Sequence, residues 1–158
     1  MIQAVSTNLL HIAVLVAAAF IVVICVIVHY EALRVLGRTL GAHVHRRIGI
    51  LLVMFGLLVA HIVEIWIFAL GYWLATVAGS GLGHIAGVEN PGPFDYMYLS
   101  TMVYTTVGFG DVVPVGAIRM LTSAEALTGL SLITWSASFT FLAMQRFWPA
   151  PWSGQPDD

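Results

Sequence analysis

The stretch Thr105–Asp111 reads TTVGFGD: two glycines separated by one residue, with an acid at the end. Glycine takes positive φ without steric cost. Gly108 and Gly110, alternating with Val107 and Phe109, therefore allow a backbone whose successive carbonyls turn the same way. Carbonyl oxygens are good hard-cation ligands, and a ring of them replaces an ion's hydration shell. Val107 and Phe109 are expected to point away from that row of oxygens and wedge against the segment before it. A second set of residues is ionisable. His61, Glu64 and Glu125 all lie inside long apolar runs, where such groups are rare and face protein rather than lipid. His61 and Glu64 are three apart, hence on one helix face.

These residues need elements to hold them, and composition says which kind. Of 158 residues, 59% are hydrophobic and only 9% charged, with mean hydropathy +0.93; a soluble domain carries about 25% charge. The net charge of -2 gives no electrostatic footprint for nucleic acid. The single cysteine, Cys25, has no partner for a disulfide within the chain and reads as a small core hydrophobe. No grouping of nucleophile, base and orienter is present, and no phosphate-binding loop, so the sequence does not read as an enzyme.

Three apolar segments, Leu9–Tyr30, Ile48–Ala75 and Ile118–Trp148, each exceed the ~20 residues a helix needs to cross the hydrocarbon core. No Lys or Arg precedes the first, and its apolar run is too long for a signal peptide. The link between the first two, EALRVLGRTLGAHVHRR, holds four of the six arginines. The positive-inside rule makes it cytoplasmic, which predicts an N-terminus outside and a C-terminus inside; His43 and His45 in this link read as interfacial.

Between the outer loop and the last apolar segment, FDYMYLSTMVYT follows PGP. Twelve helical residues give about 18 Å, too short to cross about 30 Å of hydrocarbon. The segment is expected to be a re-entrant half-helix that enters from outside, stops near the midplane and hands the chain to TVGFGD. Non-helical backbone at that depth is tolerated only where it is buried in protein or lines water. The fold class expected is an all-α membrane protein with three transmembrane helices, a re-entrant pore helix and a loop lining an aqueous path.

In this setting TTVGFGD resembles the selectivity-filter signature of potassium channels, in the phenylalanine variant of the commoner TVGYG. The surrounding YLSTMVYTTVGFGDVVP resembles a pore helix, filter and proline-containing exit, and the last apolar segment resembles the inner helix, with Gly129 at the hinge glycine's place. The resemblance covers Ile48 to about Trp148; the first helix is similar to the extra N-terminal helix of small prokaryotic channel-like proteins. It implies a layout of N-terminal helix and link (1–47), pore domain (48–148) and short cytoplasmic tail (149–158). Within the pore domain fall an outer helix (48–75), an extracellular loop (76–93), a pore helix (94–105), a filter (106–111) and an inner helix (118–148).

The resemblance further implies that the carbonyls of Thr106, Val107, Gly108 and Phe109 coordinate K⁺, with the Thr106 hydroxyl closing the innermost site and Gly110 completing the outer mouth. Asp111 would sit behind the filter, tied to the pore helix by Tyr98. Met102 stands where some relatives carry a carboxylate, so one strut behind the filter is missing. One filter per chain implies a homotetramer in the cell (inner) membrane, with K⁺ as the permeant ion and no cofactor. No segment has arginine at every third position, so there is no voltage sensor.

Counting from Gly129 in steps of three and four gives Ile133, Ala137, Phe141 and Gln145, a face expected to line the cavity and gate, with Phe141 narrowing the inner mouth. His61, Glu64 and Glu125 are expected to form one hydrogen-bonded cluster behind the pore helix, with one carboxylate protonated or paired. Two or three ligands without a fourth fall short of a metal site. Two alternatives remain at this stage. One is a non-selective monovalent cation channel, if Phe109 and the missing carboxylate loosen the filter. The other is a non-conducting metal-binding or structural membrane protein, resting on His61 and Glu64.

Overall fold

The computed structural model describes residues 2–39, 46–77 and 81–147, with side chains described within 8–38, 48–77 and 81–145. The expected tail (149–158), His43 and His45, and the Arg46, Arg47 and Arg146 side chains lie outside the described residues. In chain order the elements are α1 (Ile2–Thr39), α2 (Arg46–Val77), β1 (Gly83–Ala86), α3 (Pro93–Tyr104), β2 (Val113–Gly116) and α4 (Arg119–Phe147). Within α1, α2 and α4, the spans Asn8–Arg38, Ile48–Val77 and Arg119–Gln145 are each long and apolar enough to cross a membrane.

α1 extends at both ends beyond the apolar run Leu9–Tyr30. Nothing after Tyr30 breaks a helix before Gly37, and Arg34 Nε pairs with Glu31 Oε2 at 3.1 Å on the exposed side. One stripe of α1 is buried: Val14, Ala18, Cys25, His29 and Leu33, spaced by four and seven and therefore on one face. The rest of the helix presents exposed apolar side chains such as Val16, Phe20 and Ile27, which suits lipid. The buried stripe packs on both α2 and α4.

Inside a bilayer, apolar burial does not drive helices together, so close backbone approach and hydrogen bonds between helices matter more. Small residues provide the approach. A Cβ placed on Gly71 would stand 2.7 Å from Ile21 Cδ1, and one on Gly56 2.5 Å from Leu36 Cδ2. Both glycines let α2 lie against α1.

α3 is twelve residues long. Pro93 opens it at the first turn, where a missing N–H costs nothing, and the Asp95 carboxylate accepts from the Gly92 N–H at 2.7 Å. The helix starts one residue before the expected Phe94 and ends at Tyr104. Around it runs a feature the sequence did not signal. β1 and β2 form an antiparallel pair, with Gly83 opposite Gly116 and Ala86 opposite Val113. This strand pair ties the outer loop to the segment that leaves TVGFGD. Four-residue strands holding Gly or Pro fall below any strand signal in sequence.

Candidate ion pathway and the buried network behind it

The backbone after α3 alternates in hand. Thr106, Gly108 and Gly110 have φ of 61°, 54° and 82°, while Val107 and Phe109 between them are not in the positive-φ region. This is the alternation that lets successive carbonyls face one way. A non-glycine at positive φ is uncommon and needs surroundings that hold it. Here the Thr106 N–H donates to Val103 O at 2.9 Å, and the Gly108 N–H reaches back to Met102 O at 3.1 Å. The end of α3 thus sets the first residues of the loop. In the single chain, however, Val107 and Phe109 are exposed, at 52% and 73%. The expectation that they wedge against their own half-helix is corrected.

Behind the loop, the Tyr98 hydroxyl donates to both Asp111 carboxylate oxygens, at 2.9 and 3.1 Å. That hydrogen bond raises the Tyr98 phenol above the ordinary tyrosine value, so it remains a donor at neutral pH. Met102 is partly buried beside it and adds no polar contact through its side chain. Gly87 passes so close to this region that a Cβ there would lie 2.0 Å from Asp111 O.

Below α3 a cavity of about 620 Å³ opens between α2 and α4. Ile133, Ala137 and Phe141 line it from α4, with His61 from α2 and Thr105 at the end of α3. Gln145 is exposed at the inner end of α4. Gly129, one turn above Ile133, is buried against α3: a Cβ there would stand 2.2 Å from Tyr104 O. The position is a contact between helices, whatever hinge it provides.

The ionisable residues divide into two groups rather than the single cluster expected. Glu125 meets Tyr72 Oη at 2.6 Å and Ser100 Oγ at 2.5 Å. Ser100 also donates to Ile65 O at 2.8 Å, and a hydroxyl has one proton to give. Every group is satisfied when Tyr72 donates to Glu125, Glu125 donates to Ser100, and Ser100 donates to the Ile65 carbonyl. The neutral carboxylic acid therefore fits this site. Glu125 is level with Tyr72, which is eight residues from Glu64, or about 12 Å along α2. That offset removes it from the His61–Glu64 pair.

Glu64 is in the second group, fully buried, with a partner the sequence reading missed. His29 of α1, also fully buried, has Nδ1 2.9 Å from Glu64 Oε1. His61 Nδ1 lies 3.2 Å from Glu64 Oε2, and the Tyr104 hydroxyl donates to the same oxygen. On the far side of both rings, Ser136 Oγ is 3.0 Å from His61 Nε2 and 3.3 Å from His29 Nε2. All four described helices meet in this group. The signal for His29 is its ionisable side chain in an otherwise apolar run, but its partner is 35 residues away in the chain.

Among the described residues, three helices of membrane-spanning length, a short helix between the last two and a loop of alternating hand make the architecture of a membrane pore. Residues 50–146 match the model of a family described as ion channel. The match spans more than half of the chain, and the chain belongs to that ion channel family. No curated protein and no solved structure matches it.

Proposed function

We propose that four copies of this chain surround one axis and conduct K⁺ selectively through the carbonyls of Thr106, Val107, Gly108 and Phe109. The observation that carries the reading is the alternation of backbone hand from Thr106 to Gly110. Repeated around an axis, it stacks rings of oxygens spaced to take the place of water around a dehydrated cation. The exposure of Val107 and Phe109 in one chain supports assembly, since neighbouring copies supply the missing lining. Ion passage follows from the family; the choice of K⁺ rests on the filter residues and their resemblance. On this reading the protein sits in the cell (inner) membrane with its N-terminus outside and its C-terminus in the cytoplasm, as the arginines of the α1–α2 link favour.

A specific observation favours a second reading, a non-selective monovalent cation channel. The pore helix offers Met102 where a carboxylate would brace the filter, leaving Tyr98–Asp111 as the polar strut. Two measurements test the proposal. Native mass of the purified protein should give four chains. Liposomes loaded with K⁺ should then show flux that the same vesicles loaded with Na⁺ do not. A monomeric conducting species, or equal flux of both ions, contradicts it.

A further inference from the structure

The geometry points to a divalent transition-metal site that fastens α1 to the pore, formed by His29, His61 and Glu64 with the fourth position left to water. One ligand atom from each of His29, His61 and Glu64 falls within 4.8 Å of the others. The separations are 2.9 Å for His29 Nδ1 to Glu64 Oε1, 3.2 Å for His61 Nδ1 to Glu64 Oε2, and 2.9 Å for His61 Nδ1 to the Tyr104 oxygen. Ligands on a tetrahedral ion with bonds of about 2.0–2.1 Å sit roughly 3.3 Å apart. These three separations are within a few tenths of an ångström of that value, and the ligand atoms of His29, His61 and Glu64 all fall within 4.8 Å of one another, so a modest closure brings them onto one ion. The sequence offered two ligands on α2; α1 brings the third, and the last residue of α3 sets the Tyr104 hydroxyl beside them.

Ser136 carries the second, independent argument. Its single hydroxyl faces the Nε2 atoms of both rings. If both Nδ1 atoms hold protons and donate to Glu64, both Nε2 atoms are acceptors and share one hydroxyl proton. If both Nδ1 atoms bind a metal instead, both Nε2 atoms carry protons. Each then donates to one of the two lone pairs on Ser136 Oγ. A metal-ligating histidine characteristically gives its other N–H to an oxygen in this way. Two imidazoles with oxygen ligands suit Zn²⁺ and its first-row neighbours rather than Ca²⁺ or Mg²⁺. His61 borders the cavity below α3, which provides an entry path, while Glu64 and His29 are sealed in protein.

The inference does not depend on which ion the pore conducts. Its test uses purified full-length protein in detergent, stripped with a chelator and then given Co²⁺ as a spectroscopic probe and Zn²⁺ for stoichiometry. The wild type is expected to retain one Zn²⁺ per chain after desalting and to show the intense visible absorption of tetrahedral Co²⁺. Zn²⁺ should raise its melting temperature. His29→Gln should lose the bound Zn²⁺, the Co²⁺ band and the Zn²⁺-dependent melting shift while eluting at the wild-type size. Should His29→Gln not assemble, Glu64→Gln, which keeps shape and hydrogen-bonding capacity, is expected to give the same three losses. Absence of the Co²⁺ band in the wild type overturns the site. So does a band or Zn²⁺ content unchanged in an assembled variant.

Discussion

Gly129 of α4 lies directly against the carbonyl of Tyr104, the last residue of α3, leaving no room for a side chain. The inner helix therefore supports the pore helix at the point where the chain turns into TVGFGD. Gly129→Ala forces a methyl group into that backbone, a overpacking that typically costs about 1–3 kcal/mol. The expected result is a lower melting temperature of the assembled protein together with altered conduction. A glycine serving only as a hinge would change conduction and leave thermal stability intact.

Gly108 has open space around its α-carbon within the chain but sits at φ +54°. An added Cβ meets backbone strain of roughly 1–2 kcal/mol, paid in every copy of the filter. Gly108→Ala should abolish K⁺ selectivity or conduction while the helical circular dichroism and assembly stay as in the wild type. K⁺-selective flux of normal size from this variant would remove the filter from the account.

Phe141 is 59% exposed in the single chain and borders the cavity below α3. If four such rings close the inner mouth by excluding water, Phe141→Ala raises basal flux and opens the cavity to blockers added from the cytoplasmic side. Flux and blocker access equal to wild type would reduce Phe141 to a packing residue.

Ser100 joins Glu125 to α2, accepting from the Glu125 carboxyl and donating its own proton to the Ile65 carbonyl. Ser100→Ala leaves Glu125 with Tyr72 as its remaining partner from the pair described here, and hydrogen bonds between membrane helices are worth about 0.6–2 kcal/mol. A melting temperature lowered by a few degrees is expected, and Glu125→Gln should be milder because the amide still donates to Ser100. A Glu125→Gln variant less stable than Ser100→Ala would argue for an ionised Glu125.

The helices were legible because lipid imposes a length on apolar segments: Ile48–Ala75 and Ile118–Trp148 fall within two residues of α2 and α4 as observed. The short helix was legible from PGP before it and the glycines after it. The pairing of β1 with β2 was not, since it joins residues on either side of the pore helix and the strands are too short to carry a pattern. The ionisable residues show where counting stops helping. Depth along a helix can be counted from sequence, but tilt and rotation cannot. Glu125 therefore looked close to Glu64 and stands beside Tyr72 instead. His29 belongs to a helix outside the resemblance to potassium channels, and only the packing of α1 on α2 and α4 reveals what it meets.

The central claim is K⁺ selectivity through Thr106–Gly110, and the most direct measurement is the reversal potential of the protein in a planar bilayer with K⁺ on one side and Na⁺ on the other. A strongly displaced potential, negative on the K⁺ side by the convention of K⁺ leaving it, is the result expected. A reversal potential near zero, with current carried equally by both ions, would contradict the account.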